Sequence, residues 1–318
     1  MIFKPPTVAE KIRAIGDTSG LPEVLRKALE PGDDFEPISS PKPGDWLAEH
    51  HESGQSFDEF LRSKPNRPDK KRGKIYLQPL GEFPKGKIPL VQTLKEFATV
   101  YFFMPVDVLP SLVLSEHNIT TRINQFTRNQ QILAGDVLAI LQKNVPADAF
   151  CVLAITMEDL YPEPSWNFVF GQALLRGRVG VYSFARYDPA FYGEKRGKDY
   201  EGPRSAGTQK LILRRSYKIL AHETGHMFGL THCIYFDCVL NGSNHLAESD
   251  ARPSHLCPVC LRKLQHSIGF DVVSRYGNLL HFYKKVGFDD EAKWVTKRLK
   301  WILPAEAARA IIEEKSTD

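Results

Sequence analysis

Residues 222–232 carry the strongest structural and chemical signal of this chain and read His222-Glu223-Thr224-Gly225-His226-Met227-Phe228-Gly229-Leu230-Thr231-His232. His222 and His226 are four positions apart, so on an α-helix their imidazoles project from the same face, one turn apart. Glu223 follows the first histidine, where its carboxylate can reach a water held on a shared metal ion. The spacing therefore predicts a helix that presents two metal ligands and a general base.

Gly229 predicts the end of this helix. Glycine adopts a left-handed backbone conformation readily, so the chain can leave the helix there and bring back His232 as a third ligand. Three imidazoles with one open coordination position are typical of a catalytic zinc site. The alternative is a match by chance. Chance matches to the short His-Glu-x-x-His motif occur at times, but the added glycine and third histidine make a chance match to the full motif far less frequent.

Four of the five cysteines are clustered directly after this motif, as two pairs separated by a short loop: Cys233, Cys238, Cys257 and Cys260. The N-terminus lacks the apolar core of a signal peptide, which predicts an intracellular, reducing location. Clustered thiols in such a compartment hold metal more often than they form disulfides. The cluster therefore predicts a closed, tetrahedral four-cysteine zinc site, with two disulfides or unrelated buried thiols as the alternatives.

The fifth cysteine and two histidines near the cluster have separate interpretations. Cys151 lies in an apolar run and is interpreted as a core thiol. His245 and His255 lie between the two cysteine pairs, and each could replace one cysteine as a ligand.

The combination of the three-histidine motif, a cysteine directly after it, a second cysteine and a later Cys-x-x-Cys resembles the archaemetzincins, a branch of the metzincin metallopeptidases. The stretches at residues 165–173, 242–246 and 256–261 resemble animal members in particular, and the resemblance covers roughly residues 74–270. It implies that His222, His226 and His232 bind catalytic zinc and that Glu223 is the general base. The four cysteines would hold a second, structural zinc.

The implied reaction is hydrolysis of a peptide bond in a peptide or protein substrate. The resemblance favours an aminopeptidase over an endopeptidase. In metzincins the edge strand of the sheet pairs with an extended substrate, and the stretch Phe168, Val169, Phe170 and Gly171 is the candidate for that strand. The alternative is an ordinary strand with Trp166 and Phe170 in the core.

One position departs from the family pattern. Leu240 stands where the family has a methionine two residues after the second cysteine. Leucine keeps the volume and apolarity of methionine, so the change concerns the tuning of the site more than metal binding. It supports an alternative function, a catalytically weak or silent zinc-stabilised protein-interaction module.

Composition limits the class of protein. The chain has 318 residues, 42% of them hydrophobic, with a formal net charge of +4. This length allows one substantial core with a small satellite domain, and the charge is too small to indicate nucleic-acid binding. No apolar run reaches membrane-spanning length. We expect a soluble protein of the cytoplasm, with the basic run at residues 70–74 as a nuclear signal or, more simply, a solvated linker.

Strands that alternate with helices predict an α/β (α+β) fold, a metzincin-like zincin with a twisted mixed sheet, an active-site helix and a small zinc-knot C-terminal subdomain. Strands are expected at residues 75–80, 106–114, 151–156, 168–175 and 179–185. Helices are expected at 90–101, 132–141, 210–228, 271–286 and 289–302.

Three parts are expected along the chain: a Pro- and charge-rich N-terminal extension (1–73), an upper subdomain with the sheet and active-site helix (74–230), and a lower subdomain with the cysteines and C-terminal helices (231–318). A short helical segment of the extension would dock through Trp46, Leu47, Phe57, Phe60 and Leu61. The loop at 188–208 is expected at the surface, with a mobile rim of the cleft as the alternative.

Overall fold

The computed structural model describes residues 3–81, 83, 91–174, 176–192 and 205–313. None of the helices in these ranges is long and apolar enough to cross a membrane. The strands are β1 (Lys74–Leu80), β2 (Val106–Val108), β3 (Thr121–Ile123), β4 (Gln130–Leu133), β5 (Ala149–Thr156), β6 (Asp159–Tyr161), β7 (Gly171–Leu174) and β8 (Val179–Ser183).

The α-helices are α1 (Val8–Ile15), α2 (Glu23–Leu29), α3 (Trp46–Glu49), α4 (Phe57–Arg62), α5 (Val91–Phe102), α6 (Ala134–Lys143), α7 (Ala206–Met227), α8 (Leu246–Ala251), α9 (Pro258–Ile268), α10 (Val272–Val286), α11 (Asp289–Ile302) and α12 (Ala305–Glu313). Together with the two sheets, these helices confirm the mixed α/β class expected from the sequence.

The chain divides into two compact units, which are described separately. The first, here called the sheet unit, comprises Asn66–Thr99 and Met104–Phe228. The second, here called the helical unit, comprises Met1–Pro65, Val100–Phe103 and Gly229–Asp318.

The main sheet of the sheet unit has the strand order β2-β1-β5-β8-β7. β5 is central, pairs in parallel with β1 and β8, and all eight of its residues are buried. This confirms the buried parallel strand predicted at 151–156, because a strand covered on both faces has apolar side chains along its whole length. Val137, Leu138 and Leu141 of α6 belong to the same apolar cluster as Val152 and Val181. α7 packs against β7 and β8.

The strand predicted at residues 106–114 is wrong beyond its first three residues. β2 ends at Val108, and Pro110 has no N–H with which to continue a ladder. Leu112 forms only an isolated bridge with Leu80, and Leu114–Glu116 is a short 3₁₀ helix. The apolar residues of this stretch therefore contact the core from an irregular segment.

The helix predicted at residues 132–141 is displaced. Ile132 and Leu133 end β4, and α6 begins at Ala134. β4 belongs to a second sheet with the order β3-β4-β6, which the sequence did not indicate because its strands are short and largely polar at β3 and β4. Asp159, the first residue of β6, forms a buried ion pair with Arg186. The distance between Nε of Arg186 and Oδ1 of Asp159 is 2.7 Å.

The strand predicted at 168–175 is also shorter. Regular pairing begins at Gly171, while Val169 forms an isolated bridge with Leu160. Phe170 is buried, as the alternative interpretation required, but Trp166 is 42% exposed. Residue 175 lies outside the described residues, as do residue 90 of the helix predicted at 90–101 and residues 193–204 of the predicted surface loop.

The N-terminal part of the helical unit contains α1 to α4. Ser56 and Glu59 form a capping box at the start of α4, which fixes the first turn of this short helix. Phe57 and Phe60 of α4 are buried as predicted, whereas Leu61 is 38% exposed. α4 packs against α9.

A buried ion pair connects the same N-terminal segment to α11. Arg298 lies at 0% side-chain exposure, and its Nη1 donates to Oδ2 of Asp34 at 2.7 Å. Its Nη2 donates to the carbonyl groups of Ala28 and Glu30 at 3.1 Å, at the end of α2. The segment before α3 is therefore held to the C-terminal helices by a buried charged group.

Candidate metal centres

α7 carries the histidine motif at its C-terminal end, where the sequence predicted a helix. Ser205 caps the helix by accepting a hydrogen bond from the backbone N–H of Thr208. His222 and His226 project from one face, and their Nε2 atoms are 3.1 Å apart. Two nitrogen ligands of one tetrahedral zinc ion at ordinary bond lengths are about 3.3 Å apart. The pair therefore has the donor atoms and the spacing for two ligands of one zinc ion.

The helix ends as Gly229 predicted. The last helical residue is Met227, and the N–H of Phe228 donates to the carbonyl of Gly225 at 3.1 Å. Gly229 follows with φ of +81°, in the left-handed region that glycine enters without strain. A Cβ at this position would also lie 3.0 Å from Cβ of Pro65. The conformation and the limited space both favour glycine.

Glu223 lies against the edge strand of the main sheet. Its side chain is 5% exposed, and a Cβ built on Gly171 would be 2.6 Å from its Oε1 and 2.9 Å from its Cδ. β7 is the terminal strand in the sheet order, with β8 as its antiparallel neighbour. The missing side chain at Gly171 therefore leaves the space in which the Glu223 carboxylate sits, directly beside a sheet edge.

Replacing Gly171 by alanine is expected to displace this carboxylate without unfolding the sheet. Oε1 would have to move from 2.6 Å to at least 3.4 Å from the new Cβ to reach an ordinary contact. A misplacement of about 1 Å at a reacting group can reduce turnover by about 10²-fold. With Glu223 in the general-base role that the family resemblance implies, we expect Gly171→Ala to lower kcat/KM on a cleaved peptide by about this factor, with the melting temperature nearly unchanged.

The matched control is Gly135→Ala in α6, because a Cβ there has no heavy atom within 4 Å. It should keep wild-type turnover. If Gly171→Ala also kept full turnover, the position of the Glu223 carboxylate beside β7 would be irrelevant to the reaction.

His232 belongs to the helical unit, where its Nδ1 lies 2.8 Å from Oε1 of Glu52. The Nε1–H of Trp46 donates to the same oxygen at 2.9 Å. Burial by itself raises the pKa of Glu52, but these hydrogen bonds and the nearby imidazoles outweigh it and hold the pKa below its ordinary value. The carboxylate is therefore ionised at neutral pH, and the second ring nitrogen of His232, Nε2, takes no part in this contact.

The four cysteines of the predicted zinc knot lie together in the helical unit. Their four Sγ atoms lie within 4.8 Å of one another, and all four residues are buried. Sγ of Cys233 and Sγ of Cys257 are 3.5 Å apart, far beyond the roughly 2.05 Å of a disulfide bond. Sulfur ligands on a tetrahedral zinc ion are about 3.8 Å apart. The thiols are free, and their arrangement fits one zinc ion.

The surroundings of this cluster lower the pKa of Cys233 and raise the pKa values of Cys257 and Cys260. Hydrogen bonds from the neighbouring thiols, Cys238 first, hold the pKa of Cys233 well below its ordinary value, whereas burial raises the pKa of Cys257. The backbone N–H groups of Leu240 and Cys257 donate to Sγ of Cys238 at 3.5 and 3.3 Å. A buried group of four thiols can ionise fully only with a cation among them, which is the donor chemistry of a structural zinc site.

Asn241 is a residue of this centre that the sequence did not single out. Its Oδ1 accepts from the N–H of Cys238 at 2.7 Å, and its Nδ2 donates to the carbonyls of Cys233 and Phe236 at 2.8 and 3.0 Å. It therefore fixes the turn between the first two cysteines. Leu240 beside it is fully buried, and its carbonyl accepts from the N–H of Cys233 at 2.9 Å.

The alternative ligands have other contacts. His255 stacks on Trp294 with ring centroids 3.9 Å apart, and burial together with Arg298 lowers its pKa to about 3. His245 caps α8 and contacts Oδ1 of Asp45 at 3.1 Å. Cys151 is fully buried in β5, as expected of a core thiol, and burial raises the pKa of its thiol.

Comparison with known proteins identifies relatives that cover most of the chain. Residues 107–266 match the family described as Peptidase family M54. Archaemetzincin-2 of Macaca fascicularis is 39% identical over 315 residues, which cover 92% of this chain and 85% of that protein. Archaemetzincin-2 of Homo sapiens is 38% identical over 313 residues with the same coverage. The crystal structure of an archaemetzincin from Archaeoglobus fulgidus complexed with malonate covers 60% of this chain and 99% of its own, at 28% identity and a TM-score of 0.43.

Proposed function

This chain belongs to the archaemetzincins, peptidase family M54, which are zinc-dependent peptidases, and we propose that it removes residues from the free N-terminus of peptides with Glu223 as the general base. The observation that carries the role of Glu223 is its buried carboxylate, which directly follows His222, the first of the two paired histidines, and adjoins the edge strand at Gly171. The preference for a free N-terminus rests on the resemblance to the family alone.

His222, His226 and His232 would hold the catalytic zinc, and the four cysteines would hold a second, structural zinc. The first two histidines present Nε2 atoms 3.1 Å apart, and His232 follows six positions later with its Nδ1 already in contact with Glu52. Bound zinc would supply a Lewis acid that polarises the scissile carbonyl and lowers the pKa of a water. The chain itself must then supply the base, the substrate contacts and the orientation of its ligands.

Glu223 would take the proton of the attacking water and pass it to the leaving amine. Both transfers require a carboxylate that is ionised before the attack and has room to turn between the two positions. The absence of a side chain at Gly171 leaves the space that this carboxylate occupies.

An extended substrate would lie along β7. This strand has one neighbour in the sheet order, so its other backbone edge can pair with a peptide by strand addition. The sequence prediction named Phe168, Val169, Phe170 and Gly171. Phe168 and Phe170 contact each other and Phe170 is buried, and the backbone N–H of Val169 already donates to Leu160. The proposed pairing therefore shifts to the backbone that begins at Gly171.

The test is a mass-spectrometric cleavage profile of the zinc-loaded protein on a peptide library with free and acetylated N-termini. We expect removal of N-terminal residues from the free peptides only. Glu223→Gln keeps the size of the side chain and removes the base, so it should leave both peptide sets intact.

Cleavage inside acetylated peptides would replace the aminopeptidase assignment by an endopeptidase. No cleavage of either peptide set by wild type or by Glu223→Gln, with zinc content confirmed, would favour the alternative of a zinc-stabilised interaction module. That alternative is motivated by Leu240, which replaces the family methionine.

A further inference from the structure

The N-terminal segment at residues 46–55 contacts the loop that carries His232. Oε1 of Glu52 is 2.8 Å from Nδ1 of His232, and the two side chains are about equally buried, at 22% and 20% exposure. Oε1 of Glu52 already accepts from the indole N–H of Trp46, and an oxygen in that role also accepts from His232, which places the proton of this contact on Nδ1. The contact therefore fixes the tautomer of His232 and leaves the lone pair on Nε2.

The Glu52 oxygen is itself held in place. Nε1 of Trp46 donates to it at 2.9 Å, and the backbone N–H of Trp46 donates to Oε1 of Glu248 at 2.8 Å. The indole packs so closely on Gly242 that a Cβ there would lie 2.4 Å from its Cδ1. Because Trp46 is fixed at both its backbone and its ring, the carboxylate that it orients has a defined position.

A second side chain of the same segment contacts the same loop. Nε2 of Gln55 donates to the carbonyl of Gly229 at 3.2 Å, and its Oε1 accepts from the N–H of Thr231 at 3.4 Å. The buried ammonium of Lys263 donates to both the Gln55 carbonyl and its Oε1. Segment 46–55 thus contacts Gly229, Thr231 and His232 through groups that are largely buried.

We propose that Glu52 is a positioning residue for the third zinc ligand, acting through the His232 Nδ1–H···carboxylate hydrogen bond. The inference rests on the proposed role of His232 as a zinc ligand through Nε2. Carboxylates that accept from the outer nitrogen of a metal-bound imidazole orient the ring and raise its basicity. The N-terminal extension would then be part of the metal centre, because it supplies the group that prepares His232 for zinc.

The test is the zinc affinity of the full chain, measured by competition with a chromophoric chelator, with the melting temperature recorded alongside. Removing such an outer partner typically weakens metal binding by about 10–100-fold. We expect Glu52→Ala to weaken the more weakly held zinc by this factor. Glu52→Gln keeps an acceptor for Nδ1–H and should lose less. The matched control is Glu49→Ala, since Glu49 is an exposed carboxylate of the same segment.

Wild-type zinc affinity in Glu52→Ala would overturn the proposal, and so would a lower melting temperature with unchanged affinity, which would indicate a purely structural contact. If Glu52→Ala does not fold, Trp46→Phe is the second test, because it keeps an aromatic ring and removes the indole N–H that orients the carboxylate. It should weaken zinc binding several-fold, and unchanged affinity would again contradict the role of Glu52.

This readout is independent of the proposed reaction. A wild-type chain that binds two zinc ions and cleaves no peptide would overturn the peptidase proposal while the effect of Glu52 on zinc is still measured. A wild-type chain that binds zinc only at the cysteines would overturn the role of His232 and of Glu52 together.

Discussion

Glu223→Ala is expected to reduce kcat by about 10²–10⁴-fold while zinc content remains that of the wild type. General-base catalysis accounts for a factor of this size, and no metal bond is removed, because the proposed ligands of this site are the three histidines. Glu223 is buried beside Gly171, so the truncation leaves a small cavity in the sheet unit. The measurements are turnover of a peptide identified in the library and metal content by mass spectrometry.

Glu116→Ala is a suitable control, because Glu116 is an exposed carboxylate of the same unit. It should leave both turnover and metal content unchanged. Retained turnover in Glu223→Ala would exclude Glu223 from the mechanism. Loss of zinc from that variant would instead show that the carboxylate contributes to metal binding.

Cys257→Ser is expected to remove the structural zinc and to destabilise the helical unit severely. Binding of structural zinc contributes about 10–16 kcal/mol in small zinc domains, which is comparable to the whole stability of a typical domain, about 5–15 kcal/mol. Cys257 is fully buried and is the N-cap residue of α9, so its thiolate would join a bound zinc ion to the helix against which α4 packs. We expect a lower zinc content and a melting transition many degrees below that of the wild type.

Cys151→Ser is the matched control, since it makes the same atomic change at a fully buried cysteine of β5 in the sheet unit. It should cost about 1–3 kcal/mol for burying a hydroxyl group, with zinc content unchanged. Full zinc content and a wild-type melting temperature in Cys257→Ser would contradict the four-cysteine assignment.

Local spacing was sufficient where one element determines the geometry. The helical period places His222 and His226 on one face, and the left-handed preference of glycine ends α7 before Gly229. The apolar run of β5 identified the central parallel strand, and the expected bounds of α11 agree with the structure. In each case the signal lies within one segment, so no knowledge of its neighbours was needed.

The sequence was a poor guide where apolar residues reach the core without regular pairing. The stretch after Val108 has the composition of a strand, but Pro110 lacks the N–H that pairing requires. The stretch before Gly171 has the same composition, yet it forms no regular ladder: Val169 forms an isolated bridge with Leu160, and the carbonyl of Phe170 accepts from the N–H of Ser183. At these two places the apolar composition reflects partly buried side chains that pack on the core, and it does not indicate strand pairing.

The sequence by itself determined the ligand types, the spacing of the histidines on their helix and the clustering of the cysteines. Only the tertiary structure revealed that Gly171 makes room for Glu223 and that Glu52 contacts His232. The second pair is separated by 180 positions along the chain, and no local periodicity relates them. Helical spacing follows from the backbone of a single segment, whereas these contacts depend on how distant segments pack, which is why they emerge only in the folded chain.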